Sequence, residues 1–256
     1  MKIDRASAIR QHLFAKGHSS IAVIAEAVGA SEPTVRRDLA VLEAEGAIQR
    51  THGGARIAAG AGVEIAFESR EQINLGAKRA IGAAAYRMLR PDTSIFLDAG
   101  TTVLQLARQL RISPLPVRVF TNCLPVAQIL MPVDEISVSL IGGTIRARNA
   151  AMVGTLAEEA LERLWFDQLF LGAGAVSESG DIYGADEHEA RLNTRMVTRT
   201  KHCIVLADAD KFGEHLTYLV APIKQGMQVV SEARLGDNWQ ECLKKIGCGL
   251  TLAEAL

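Results

Sequence analysis

Two groups of residues in this chain of 256 amino acids are typed and spaced to do chemistry. The first is Ser31, Thr34, Arg36 and Arg37, followed by Arg50, His52 and Arg56. Hydroxyls and guanidinium groups in this order suit contact with DNA. Arginine pairs two-pronged with guanine, and phosphate contacts outnumber base contacts. The second group comprises Asp98-Ala99-Gly100-Thr101-Thr102, Thr121-Asn122, Gly142-Gly143-Thr144, Gly172-Ala173-Gly174 and Asp208-Ala209-Asp210-Lys211. Glycine lets a backbone approach an anion, a helix start offers free N–H groups, and threonine adds hydroxyl donors. That chemistry is the binding of a small anion. Each piece alone is a tight turn or a cap; five in register along one sheet edge exceed what packing requires.

The first group needs a helix to carry it. Ser31 caps a predicted helix over 31–45, with Glu32 and Pro33 in its first turn. Val35, Leu39 and Leu42 form a buried stripe, which leaves Arg36 and Arg37 facing outward. Glu43, Glu45 and Gly46 close the helix. An earlier helix spans 21–28, capped by Ser19 or Ser20, and Gly29-Ala30 makes the tight turn of a helix-turn-helix. A first helix over 4–15 adds Ile9 and Leu13 to the same core. Strands over 47–50 and 55–58 flank Thr51-His52-Gly53-Gly54 as a wing, from which Arg50, Arg56 and His52 grip phosphate. The N-terminal part of the 31–45 helix is the part that enters the major groove.

The second group needs a sheet edge. Ala58-Ala59-Gly60-Ala61-Gly62 reads as a hinge, and residues 64–74 begin a larger unit. Helices over 77–89, 102–110, 124–130, 154–164 and 186–198 alternate with strands over 94–98, 117–121, 135–141, 167–172 and 201–207. Such alternation predicts an α/β domain with a mostly parallel sheet, which binds ligands at the carboxyl ends of its strands. The chain therefore divides into a winged helix-turn-helix domain (1–57), a linker and entry helix (58–75) and an α/β effector-binding domain (76–256).

Composition bounds the partners. No apolar run approaches the roughly 20 residues that span a bilayer, and Met1-Lys2-Ile3-Asp4-Arg5 lacks a signal-peptide core, so a cytoplasmic protein without membrane contact is expected. Residues 1–56 balance at +2 and the remainder at −3, so local arginine placement must carry DNA affinity. Cys123, Cys203, Cys242 and Cys248 show no metal spacing and read as reduced structural thiols. There is no Gly-x-x-x-x-Gly-Lys-Ser/Thr motif, and Gly172-Ala173-Gly174-Ala175-Val176-Ser177 lacks the third glycine of a dinucleotide loop. No cofactor or metal is expected.

Thr34-Val35-Arg36-Arg37-Asp38-Leu39, Leu42-Glu43, Gly46 and Arg50-Thr51-His52-Gly53-Gly54-Ala55 resemble the signature of DeoR-type bacterial transcriptional regulators, with Val35 in place of the usual isoleucine. Leu97-Asp98-Ala99-Gly100-Thr101-Thr102, Thr121-Asn122, Ile141-Gly142-Gly143, Gly172 and Ala207-Asp208-Ala209-Asp210-Lys211-Phe212-Gly213 resemble that family's sensor domain, similar in fold to ribose-phosphate isomerase. The resemblance covers nearly the whole chain and implies a phosphorylated sugar or polyol effector. By that analogy Asp98 and Asn122 bind hydroxyls, while Gly100, Thr101, Thr102 and Lys211 hold phosphate. Gly143 and Gly172 line the same edge, and Glu189 matches a glutamate typical of the following helix. Asp210 stands where the family has serine: either its carboxylate points away or the effector is less charged.

The expected function is a DNA-binding regulator, a repressor of a carbohydrate or polyol catabolic operon. It binds double-stranded operator DNA as a homo-oligomer, dimer or tetramer. The alternative is a sugar-phosphate isomerase-like enzyme with an accessory head, using Asp98, Glu187, Glu189 and Lys211. The isomerases carry acidic residues at the segment matching Gly172-Ala173-Gly174-Ala175; this chain has none there. Asp186-Glu187 reads as a helix start rather than an acid/base pair.

Overall fold

The computed structural model describes residues 5–44, 48–51, 53–57 and 67–254. His52, Glu45, Gly46 and the hinge over 58–62 lie outside the described residues. Two compact units meet at the Ile73–Asn74 bond.

The first unit contains helix α1 (Arg5–Lys16), strand β1 (Ser19–Ser20), helices α2 (Ile21–Val28) and α3 (Glu32–Ala44), strands β2 (Ile48–Thr51) and β3 (Gly54–Ile57), and helix α4 (Phe67–Gln72). The Ser20 hydroxyl accepts the Val23 N–H and caps α2, and Gly29 ends that helix in the left-handed region (φ 63°). Ile9, Leu13, Ile24, Val35, Leu39 and Leu42 are buried together, so all three main helices share one core. Each such side chain contributes about 1.5–3 kcal/mol relative to exposure. Strands β2 and β3 pair antiparallel, and β1 adds a third strand beside β3 that the sequence did not predict. Helix α4 lies inside the span expected to be linker and entry helix, yet it groups with the head.

The second unit is a layered α/β structure. Its elements are α5 (Leu75–Tyr86), β4 (Ser94–Leu97), α6 (Thr101–Ile112), β5 (Val117–Thr121), α7 (Leu124–Leu130), β6 (Ile136–Leu140), β7 (Thr144–Arg146), β8 (Ala151–Val153) and α8 (Thr155–Glu162). Then follow β9 (Phe166–Gly172), β10 (Ala175–Val176), β11 (Asp181–Gly184), α9 (Glu187–Thr198) and β12 (Thr200–Leu206). A 3-10 turn (Ala209–Lys211), β13 (Tyr218–Pro222), β14 (Gln228–Glu232), α10 (Asp237–Ile246) and β15 (Gly249–Ala253) complete it.

The main sheet has seven strands in the order β15-β14-β12-β9-β4-β5-β6, and each neighbouring pair is parallel. The chain runs from β4 outward to β6, then returns to β9 and runs the other way. The order therefore reverses between β4 and β9, and such a reversal opens a crevice at the carboxyl ends. Phe96, Phe166 and Leu169 from the sheet pack with Ala157, Leu161, Leu192, Met196 and Leu243 from α8, α9 and α10. The Phe96 and Phe166 rings meet edge to face at 5.1 Å. The expected helices and strands from 77 to 207 are all present, within a few residues at their ends. Three features lie beyond that reading: the β7–β8 hairpin, the antiparallel sheet β10-β11-β13, and the β14–α10–β15 unit that widens the sheet.

Helices α5 and α6 approach closely because Gly82 faces α6. A Cβ there would lie 2.8 Å from the backbone of Gln105 and Leu106. Gly82→Ala gains about 1 kcal/mol of helix propensity. It costs about 1–3 kcal/mol in overpacking, since backbone rather than a flexible side chain must move. The net expectation is a lower melting temperature, measured by calorimetry; an unchanged or higher one would show that the helices part freely.

Candidate functional site

In the first unit, α3 presents its polar residues on the face opposite Val35, Leu39 and Leu42. Val35 N–H closes the first turn on the Ser31 carbonyl, and the Ser31 and Thr34 hydroxyls meet at 2.9 Å. The Arg36 guanidinium lies 3.5 Å from Glu32, one turn back. Arg37 is exposed and makes no ion pair among the described residues. Asp38 is held by Arg5 from α1 through two nitrogens, the longer bond at 3.1 Å, so the recognition-type helix is braced from behind. On the wing, Arg50 pairs with Ala55 and Arg56 with Gln49. Side chains alternate along a strand, so Arg50 and Arg56 lie on opposite faces of the hairpin. The sequence treats them as one grip; the register separates them.

In the second unit the candidate residues gather at the reversal point. Asp98 follows β4 and is only 5% exposed. Its backbone N–H donates to Phe170 O, and its Oδ2 accepts the Gly172 N–H at 3.0 Å. Gly100 and Gly172 touch: a Cβ on Gly100 would lie 3.3 Å from Gly172 Cα. Thr101 and Thr102, both buried, open α6 behind Gly100, and the first helical bond runs from Leu104 N–H to Gly100 O. The N–H groups before Leu104 thus have no partner within the helix. On β5, the Thr121 hydroxyl donates to Leu97 O and accepts the Cys123 N–H, locking β5 to β4. Asn122 is 1% exposed; its amide donates to Met152 O, while its Oδ1 has no hydrogen-bond partner.

Gly143 has a packing role. Its φ of 150° and a Cβ position 2.6 Å from Val153 O leave room for glycine only. Glu189 accepts from Arg146 at 2.9 Å and from Asn149 at 2.6 Å, and Asp186 lies 3.0 Å from Arg146. These bonds tie the β7–β8 hairpin to the start of α9, where Asp186 also caps the Glu189 N–H. Lys211 sits in the turn after β12, two strands from β4.

Asp210 is 53% exposed; its Oδ2 accepts from Asn74 at 2.7 Å and its Oδ1 lies 3.0 Å from Arg234. Partial burial alone would raise its carboxyl, but the bonds from Asn74 and Arg234 outweigh that and hold it below the usual carboxylate range.

Sequence reasoning missed Lys78, Arg146 and Asn149. Lys78 is 4% exposed on the face of α5 that also buries Ile81, Gly82 and Ala85. A lysine on an apolar stripe was the signal that could have revealed it. Cys203 is pushed up to about 12 and Cys248 to about 11, both chiefly by burial, as expected of inert structural thiols. Among the described residues no helix is long and apolar enough to cross a membrane.

Burial raises the Asp186 carboxyl, but the Glu189 N–H and Arg146 outweigh it and hold it below the usual carboxylate range. A depressed pKa contributes stability that is present above the unfolded value and is lost as pH falls through the folded one. Asp186→Asn is expected to flatten the loss of stability below about pH 4, seen in urea titrations at stepped pH. A wild-type acid slope would assign that loss to other carboxylates.

Comparison with known proteins places both units. Residues 5–60 match the DeoR-like helix-turn-helix domain and residues 73–233 the DeoR C terminal sensor domain. The HTH-type transcriptional regulator GlpR of Haloferax volcanii is 33% identical over 89% of this chain and 89% of its own. The lactose phosphotransferase system repressor of Lactococcus lactis is 31% identical over 84% of each chain. Among solved structures, ribose 5 phosphate isomerase A from Neisseria gonorrhoeae aligns with a TM-score of 0.42 at 14% identity, covering 57% of this chain and 56% of that one. With a matching head, a matching sensor domain and relatives similar along most of their length, the chain belongs to the DeoR family of DNA-binding transcriptional regulators.

Proposed function

We propose that this regulator is a repressor of a carbohydrate or polyol catabolic operon. It acts in the cytoplasm as a homo-oligomer, dimer or tetramer, on double-stranded operator DNA. A phosphorylated sugar or polyol bound at the reversal point of the sheet controls it. The observation that carries the effector reading is Asn122 Oδ1, a buried acceptor with no hydrogen-bond partner at the carboxyl end of β5, the strand paired with β4. A buried orphan acceptor costs about 1–3 kcal/mol, which a ligand hydroxyl would recover. Asp98 offers a second acceptor for hydroxyls. The N–H groups and hydroxyls of Thr101 and Thr102, with Gly100 and Gly172 keeping the backbone close, suit a phosphate, and Lys211 supplies positive charge. Among the relatives, the Lactococcus protein is named for a sugar-uptake system, which supports this effector class.

On the DNA side, Arg37 reads bases and Arg36 positions the helix, with Ser31, Thr34, Arg50, His52 and Arg56 as further contacts. Arg37→Ala is expected to abolish the specific footprint on the operator while leaving the melting temperature unchanged. Arg36→Ala should weaken binding more evenly across sequences, because its guanidinium is already shared with Glu32. A normal footprint from Arg37→Ala would overturn this assignment.

Thermal-shift screening against aldose, ketose and polyol phosphates tests the effector. At about 100 times its Kd a ligand adds roughly 2.7 kcal/mol of stability. For a chain of this size that corresponds to a rise of about 5–10 °C. The rise should vanish in Thr102→Val and shrink in Asn122→Ala. If only unphosphorylated sugars shift the transition, the phosphate assignment fails.

A further inference from the structure

Asn74 is the first residue of the second unit and holds a left-handed backbone (φ 52°) at the start of α5. Its side-chain amide donates to two carboxylates at once: Asp208 Oδ1 at 3.0 Å and Asp210 Oδ2 at 2.7 Å. Asp208 is 1% exposed, so its bond to Asn74 is made away from water. Both acceptors flank Ala209, whose N–H is held by Glu232 from the end of β14, and Arg234 joins Glu232 to Asp210. The turn that carries Lys211 is thereby fixed to the sheet on one side and to the start of α5 on the other. Lys211 itself makes no ion pair among the described residues.

This arrangement answers the question Asp210 raised. A carboxylate next to the anion-binding lysine would repel a phosphate if it faced the same way. Here its carboxylate is bonded to Arg234 and Asn74, and the Lys211 charge also acts on it. The side chain that stands in place of serine thus ties the turn to Asn74 and Arg234.

We propose that Asn74 is the positioning residue through which occupancy of the Lys211 turn reaches the chain that enters from the head. An anion drawn to Lys211 shifts the turn Asp208–Lys211. Because one amide spans Asp208 and Asp210, a shift of the turn must move or break the Asn74 bonds. Asn74 directly follows the last residue of the head unit, so its displacement is passed along the backbone without a further contact. The inference rests on the reading of Lys211 as an effector contact.

The test is hydrogen exchange on the full chain with inorganic phosphate as the probe, followed by mass spectrometry. In the wild type, phosphate is expected to slow exchange in two places, residues 208–212 and residues 67–78. Asn74→Gly keeps the left-handed backbone accessible and removes only the amide. It should retain the phosphate effect at 208–212 and lose it at 67–78. Asp210→Ala, at an exposed position that folding tolerates, removes one arm of the bridge and one negative charge beside Lys211. It should keep or increase the effect at 208–212 and reduce it at 67–78. An effect at 67–78 that survives in Asn74→Gly, or is undiminished in Asp210→Ala, overturns the proposal. An absence of any effect at 208–212 in the wild type overturns instead the reading of Lys211, and this proposal with it.

Discussion

The carboxyl edge of the sheet depends on one bond, the Gly172 N–H donated to the buried Asp98 carboxylate. It lies where the strand order reverses, between β4 and β9. Hydrogen bonds to charged groups contribute about 1.5–3 kcal/mol, more than most in a fold. That strength holds the two strand ends together where Gly100 and Gly172 meet, so that a side chain on either would crowd the other's backbone at 3.2–3.3 Å. The contact fixes where α6 begins, and with it the directions of the Thr101 and Thr102 N–H groups. Thr121 extends the same lock to β5, whose carboxyl end carries Asn122. The proposed anion site thus draws on three strands whose ends are tied to one another.

The carboxylates around this edge are committed to holding the structure together. Glu189 and Asp186 share Arg146, and Asp210 is divided between Asn74 and Arg234. General acid–base catalysis needs a carboxylate within reach of the substrate and a pKa near the working pH. Asp186 and Asp210 are driven the other way, toward permanent ionisation, by the cations and amides they hold. Those two carboxylates are thereby structural, and neither is poised as a general base. What separates this chain from the isomerase alternative is its family: both its head and its sensor domain match those of DeoR-type regulators.

What could be read from the sequence was local. Val35, Leu39 and Leu42 announce α3 at helical spacing, and Asp186 announces α9 as a cap. The glycine and threonine turns announce strand ends because a parallel sheet gathers its polar residues there. What could not be read needed partners far along the chain. Asn74 meets Asp208 across 134 positions, and Arg146 meets Glu189 across 43. Arg50 and Arg56 look equivalent until the register of β2 and β3 puts them on opposite faces. The last parallel strands, β14 and β15, are five residues each, and a run that short cannot be told from a buried loop by periodicity.

The head's modest charge explains why control by a small molecule is feasible. Much of the charge on α3 is compensated: Arg5 neutralises Asp38 and Arg36 leans toward Glu32, which leaves Arg37 unpaired on that helix. One correct bidentate arginine–base contact discriminates by about 1–3 kcal/mol. The coupling free energy between an effector site and a second site is also about 1–3 kcal/mol. The two are matched in size. A head held to DNA by many phosphate contacts would be insensitive to such a coupling, because the electrostatic term would dominate the affinity. If Arg37 makes the base contact proposed for it, losing that contact would cost about as much as an effector coupling of this size supplies.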